Sequence, residues 1–257
     1  GSWTLVDSFT PPTHSGSAPE AYDVEVISAT EVYVTNRWRW NYNCQVSLYD
    51  GATATTALTT GSTSGVRGLA LGTGDDLWIG PGFPWNNPDD GTKDAMMWRY
   101  DRSAGTSAAW DLQPYVGDTA RGTAWWDDKL YVVLTDLNNA WIRFFSTVDG
   151  SYVGEWNLKS DYLWDRLRLT DLEFDEAGNA YILAAYQGHV VFRDALTGTY
   201  SKFADGLTNP VAVAYYKPQA QPGPSTEEIP EPATLLALGI AAMPALWRRA
   251  SRRSHNG

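Results

Sequence analysis

Three stretches of this chain set aromatic rings beside amide, carboxylate and guanidinium groups. Segment 35–43 carries Trp38, Trp40 and Tyr42 among asparagines and arginines, and segment 80–91 carries Phe83 and Trp85 beside Asn86, Asn87, Asp89 and Asp90. Segment 159–166 adds Tyr162 and Trp164 beside Asp161, Asp165 and Arg166. Such pairings suit sugars, because CH faces stack on rings while hydroxyl groups pair with the polar side chains. Long loops also pack internally on tryptophan. For Trp38, Trp40 and Trp85 the packing and binding readings therefore both stay open.

Catalytic constellations are thin. The three histidines, His14, His189 and His255, are far apart in sequence, and Cys44 is the single cysteine. That count excludes an ordinary zinc site and any internal disulfide. His189 alone falls among the candidate loops, where a lone histidine is expected to be solvated. Asp89, Asp90 and Asp94 offer oxygen ligands for calcium, although their spacing lacks the alternation of a dedicated calcium loop. No nucleophile elbow and no phosphate-cradling glycine loop occurs. The assignment is thus no catalytic residue and no cofactor, with calcium at those three aspartates the exception to test.

The elements that position these segments repeat. A short strand ending in an aromatic–aliphatic pair begins at Glu31, Asp76, Lys129 and Asn179, at separations of 45, 53 and 50 residues. An alternating strand precedes each copy, beginning at Asp23, Gly68, Gly122 and Asp171, and a fifth copy of that strand occupies 210–214. A third strand follows in each unit and leads through an Asp/Gly turn to a fourth, as at 152–156 and 200–203. Period-two alternation bounded by Gly, Asp and Asn predicts strands, and no stretch of the body shows helical spacing. Four strands per unit of about 50 residues predict an all-β β-propeller. The blade number is five or six, with four complete blades in this chain.

The repeat resembles NHL-type and related six-bladed propeller units, in which an arginine-containing third strand runs into an Asp-…-Thr-Gly turn. Asp194-Ala195-Leu196-Thr197-Gly198 fits that turn, whereas Asp50-Gly51 departs from it. The resemblance covers residues 20 to 216 and implies architecture rather than activity. In such a fold the long segments gather on one face, around the channel mouth, opposite minimal turns such as Asp127-Asp128. Arg67 and Arg121, each followed by glycine at the start of an inner strand, are expected at that mouth or, the weightier reading, in salt bridges to neighbouring blades. Segment 210–215 reads as the innermost strand of a closing blade and 3–9 as its outermost strand. Two middle strands are missing from the sequence, and residue 1 is glycine with no signal peptide in view. The chain is therefore read as N-terminally truncated, against a competing reading as a mature five-unit ring. Propeller lactonases resemble the same scaffold and hold a divalent metal near the channel, but no quartet of residues here maps onto such a site.

Residues 1–216 thus form the propeller, 217–229 a Pro/Gln/Glu-rich linker and 230–257 a distinct tail. The tail comprises Pro230-Glu231-Pro232, a 15-residue apolar run at 233–247, and Arg248, Arg249, Arg252 and Arg253. Motif, apolar segment and basic cluster in that order describe a tail retained in a membrane with its arginines on the cytoplasmic side. The run is shorter than the roughly 20 residues of a stable span, a length that snorkelling arginines extend. The tail resembles the PEP-CTERM sorting signal. That resemblance implies export, processing by an exosortase-type membrane enzyme, and delivery to the cell envelope, surface or extracellular matrix. It also implies a link to strains that make extracellular polysaccharide. The net charge of −11 argues against nucleic acid as a partner. The expectation is a non-enzymatic binding or structural propeller, with a metal-dependent hydrolase or a protein–protein scaffold as alternatives.

Overall fold

The computed structural model describes residues 20–28, 30–37, 44–60, 64–84, 96–112, 119–135, 140–162, 168–208, 210 and 212–214. They build four antiparallel four-stranded sheets, each in simple sequential order. The first blade contains β1 (Glu20–Ser28), β2 (Glu31–Arg37), β3 (Cys44–Tyr49) and β4 (Ala54–Thr60). The second contains β5 (Ser64–Leu71), β6 (Asp76–Pro84), β7 (Met96–Asp101) and β8 (Thr106–Asp111). The third contains β9 (Thr119–Trp126), β10 (Lys129–Thr135), β11 (Ala140–Ser146) and β12 (Tyr152–Asn157). The fourth contains β13 (Leu169–Phe174), β14 (Ala180–Ala184), β15 (His189–Arg193) and β16 (Tyr200–Ala204). The four complete units expected from the repeats are these four blades. A one-turn helix, α1 (Leu158–Tyr162), leaves the third blade where the sequence showed no helical spacing. It is held by Leu158, which is fully buried against the third and fourth blades.

Burial falls from the second strand of a blade outward. In β10 every residue after Lys129 is buried, because neighbouring blades cover both faces of the sheet, whereas in β8 only Trp110 is partly covered. The core consequently lies between sheets rather than within them. One cluster joins the first and second blades through Tyr33, Val46, Leu69 and Leu77, and another joins the second and third through Met97, Leu112, Leu130 and Phe145. A third joins the third and fourth blades, where Tyr131 lies 4.7 Å from Phe174, 5.0 Å from Phe144 and 5.2 Å from Trp156, ring centre to ring centre. Much of the tryptophan and tyrosine content is inter-blade packing of this kind, worth more than the buried area alone when rings meet edge to face. Residues 212–214 continue the series, with Val213 buried against Leu183 and Val190 of the fourth blade.

The outer turns follow the repeat. Asp194 Oδ1 accepts the Thr197 amide at 2.7 Å while the Gly198 amide closes onto the Asp194 carbonyl at 2.9 Å. Gly198 sits at φ 70°, the left-handed region that favours glycine. Asp50-Gly51 departs from this pattern as read: the φ 90° residue directly follows the aspartate, and Asp50 caps the Ala52 and Thr53 amides instead.

Adjacent inner strands approach to the limit that glycine allows. A Cβ on Gly122 of the third blade would lie 2.7 Å from Asp171 Cα and 2.5 Å from Asp171 Oδ1 of the fourth. A Cβ on Gly68 of the second would lie 2.6 Å from the Thr123 backbone nitrogen of the third. Each set of contacts includes a backbone atom closer than 3.0 Å, so side-chain rotation alone does not relieve it. Gly122→Ala is therefore expected to destabilise the domain by about 1–3 kcal/mol, the usual range for overpacking. A lowered urea midpoint with an unchanged denaturant slope would show it. An unchanged midpoint would mean that the inner strands separate at little cost.

Candidate functional site

Each inner strand carries a β-bulge near its start. The register breaks between Ala21 and Asp23 in β1, between Val66 and Leu69 in β5, between Ala120 and Thr123 in β9, and between Leu169 and Asp171 in β13. Four successive blades thus insert their extra residue at one level, where the innermost strands open onto one face of the ring. A bulge re-aims the inserted side chain away from the sheet. The residues at this level are Tyr22, Arg67, Arg121 and Thr170, one from each blade, and Arg168 precedes β13 by one residue.

The Arg67 guanidinium sits over the Tyr22 ring of the preceding blade at 4.5 Å. The Arg67 carbonyl accepts the hydroxyl of fully buried Thr35 at 2.8 Å, and that hydroxyl oxygen in turn accepts the Asp23 amide at 3.0 Å. Arg121 lies within electrostatic reach of Arg67 and Arg168, and its buried Nε has no hydrogen-bond partner among the described residues. Burial, followed by repulsion from those two cations, lowers the Arg121 guanidinium to about 10. The expected salt bridge to a neighbouring blade is not made by Arg121 among the described residues. The neighbouring strands present Gly68 and Thr170 at this level, and the nearby carboxylates are already engaged. Asp23 Oδ2 accepts the Leu69 amide at 2.7 Å, and Asp171 Oδ2 accepts the Val213 amide at 2.8 Å. The first–second blade ion pair belongs to Arg102 instead, whose Nη1 reaches Glu31 Oε1 at 2.5 Å near the opposite face.

Deeper along the same strands the charge reverses. Asp23 and Glu25 of β1 and Asp171 and Glu173 of β13 are within electrostatic range of one another. The corresponding residues of the intervening blades are Gly68, Ala70, Gly122 and Ala124. Burial is the main cause that pushes Asp23 and Glu25 up to about 7 and raises Asp171 and Glu173 well above the ordinary carboxylate range, with mutual repulsion adding to it for Glu25, Asp171 and Glu173. Among the described residues no three or more His, Cys, Asp or Glu side chains converge closely enough to hold a metal ion.

Of the residues singled out in the sequence, Arg67 and Arg121 meet at the mouth. Trp38, Trp40, Tyr42, Trp85, Trp164 and the aspartates Asp89, Asp90 and Asp94 lie outside the described residues, as do segment 3–9, His14, His255 and the whole of 215–257. Phe83 falls within β6, with its backbone alone described. His189 is a correction. It begins β15, is 1% exposed rather than solvated, and burial lowers its pKa. Tyr22 and Arg168 were not singled out. The repeat alignment held the signal for Tyr22, which immediately precedes Asp23 just as Arg67 and Arg121 precede Gly68 and Gly122. No helix among the described residues is long and apolar enough to cross a membrane.

A separate cleft of about 280 Å³ lies between the second and third blades on the face with the short turns, lined by Trp78, Trp110, Trp125, Arg99, Asp76 and Asp128. Its rings are committed to packing. Trp78 is 3% exposed and lies against Gly72, while Trp110 lies against Gly150 and 5.7 Å from Trp78. Arg99 pairs with Asp76 at 2.7 Å.

No family model and no curated protein matches the chain. Solved structures do. A gluconolactonase from Xanthomonas campestris aligns at 14% identity and a TM-score of 0.54 over 76% of this chain and 65% of its own. A chain of a nidogen/laminin complex aligns at 17% identity and a TM-score of 0.52, over 76% of this chain and 66% of its own. A luciferin-regenerating enzyme aligns at 11% identity and a TM-score of 0.50, over 79% and 67%. The chain is a β-propeller. Identities this low show the fold alone, and the chain spans about two thirds of the length of each of these structures.

The raised carboxylates set a pH dependence. A native pKa of about 7 for Asp23 and Glu25, against about 4 in an unfolded chain, means that the folded state holds more protons between those values. Stability from these groups is fully present below pH 4 and is lost as pH rises towards 7 and above. The urea midpoint is expected to be higher at pH 5 than at pH 8, with Glu25→Gln reducing the difference. A midpoint that rises across this interval would contradict the assignment.

Proposed function

We propose that this chain is part of an exported, envelope-sorted propeller that binds extracellular polysaccharide without catalysing a reaction on it. The observation that carries the binding reading is the mouth, where bulges in consecutive blades gather Tyr22, Arg67 and Arg121 beside Arg168. Strands β2 and β6 end, and β13 begins, on that face. The connecting segments rich in Trp38, Trp40, Tyr42, Trp85 and Trp164 therefore attach there. A ring beside guanidinium groups is suited to a sugar chain. The complete ring is taken to have five or six blades, with 210–214 beginning the blade after the fourth. Residues 230–257 are taken as the sorting signal, with Pro230-Glu231-Pro232 the processing motif, the apolar run the membrane segment and Arg248, Arg249, Arg252 and Arg253 the cytoplasmic end. The partners are then an exosortase-type enzyme, the membrane and the matrix polymer.

Two experiments test this. The purified full chain should migrate more slowly in native gels cast with matrix polysaccharide from a bacterium that makes such tails, and Trp38→Ala/Trp85→Ala should lose most of that retardation. Equal migration with and without polymer removes the carbohydrate reading and leaves a protein scaffold or a hydrolase. In an exosortase-bearing host, with an export signal peptide fused ahead of Gly1, Glu231→Ala should leave the chain at its unprocessed mass in membranes, whereas the parent chain is shortened. Identical masses for both would reject the sorting assignment.

A further inference from the structure

We infer that the mouth formed by Arg67, Arg121, Arg168 and Tyr22 is an oxyanion subsite, so that the polymer bound there carries acidic sugars, bearing uronate carboxylates or sulfate esters. This rests on the polysaccharide reading above and specifies its chemistry. Arg121 stands within electrostatic reach of both Arg67 and Arg168, the three coming from consecutive units. Arg121 makes no ion pair among the described residues, its Nε is buried without a partner, and the nearest carboxylates along the inner strands are engaged by the Leu69 and Val213 amides. Arg121 is half-buried, and holding a partly desolvated cation beside like charges costs stability. An arriving carboxylate or sulfate supplies the missing acceptor, and a planar guanidinium fork matches its two oxygens. The Tyr22 ring lies under the Arg67 guanidinium and orients it at the mouth. The body's net negative charge opposes an acidic polymer at long range, where screening over about 8 Å at physiological salt weakens it, while burial raises the carboxyl groups one level below the mouth towards their protonated form.

The class of ligand follows from the donor set. A neutral glucan leaves the guanidinium repulsion unrelieved, whereas an acidic sugar relieves it. An anion held at the mouth should also raise the unfolding temperature of the parent chain. Removing the Arg121 charge should itself raise that temperature in the empty protein, since it removes a desolvated cation with two like neighbours.

The test is calorimetric titration of the full chain with three probes: trigalacturonate, a sulfated galactan oligomer and neutral maltotriose. We expect at least one acidic probe to bind tenfold or more tightly than maltotriose. Arg121→Gln and Arg67→Gln should each abolish that factor, with Arg121→Gln unfolding at an equal or higher temperature than the parent. Which acidic probe binds identifies the oxyanion. Equal binding of acidic and neutral probes, or an acidic preference that survives both substitutions, overturns the oxyanion subsite and leaves glycan binding standing. Binding of maltotriose alone has the same meaning. Loss of unfolding temperature in Arg121→Gln, with no acidic probe bound by the parent, overturns the inference by assigning that arginine to an ion pair within the chain. If the matrix polymer also fails to retard the protein, the polysaccharide reading falls with it.

Discussion

Every blade of this chain depends on the closeness of the next. A single four-stranded sheet exposes two apolar faces and is marginal by itself, so it persists only when neighbours cover both. That requires the inner strands to approach almost to backbone contact. In the second and third blades the requirement is met by removing side chains, at Gly68 and Gly122, whose missing Cβ atoms are the space the next strand occupies. In the first and fourth it is met by aspartate, Asp23 reaching the Leu69 amide of the second blade and Asp171 the Val213 amide of the segment after the fourth. The aromatic ladder around Tyr131 and the Tyr33–Leu77 cluster then fill the widening space farther from the axis.

The same constraint shapes the electrostatics. Strands that crowd an axis bring equivalent positions of several blades into mutual range, so charges at one register become a ring. At the mouth that ring is cationic, and one level deeper it is acidic. The Asp23 and Asp171 side chains each accept a distant backbone amide, from Leu69 and Val213. The carboxylates answer by retaining protons. Arginine has no such recourse in the ordinary pH range, which is why the mouth is the place where an external anion has most to offer.

The comparisons fix architecture and stop there. A gluconolactonase, a chain of a nidogen/laminin complex and a luciferin-regenerating enzyme share the fold with this chain at 11–17% identity. Function is carried by what each chain sets around the channel. Among the described residues of this chain that is a set of arginines with a tyrosine at the mouth and four carboxyl groups one level deeper.

The sequence by itself determined the repeat, because strand alternation and glycine-bounded turns are local and recur at fixed spacing. It therefore predicted four strands in each of four complete blades, and it marked Arg67-Gly68 and Arg121-Gly122 as equivalent positions. It did not reveal α1, a single turn fixed by the burial of Leu158 rather than by any periodicity. Nor did it reveal that His189 is enclosed, that Arg102 rather than Arg121 pairs with a carboxylate of the preceding blade, or that Tyr22 and Arg168 join the mouth. Those outcomes depend on which residues of different blades share a level, about 45 to 150 residues apart in the chain. Bulge positions and inter-blade approach decide that level, and both exist only once the sheets have packed.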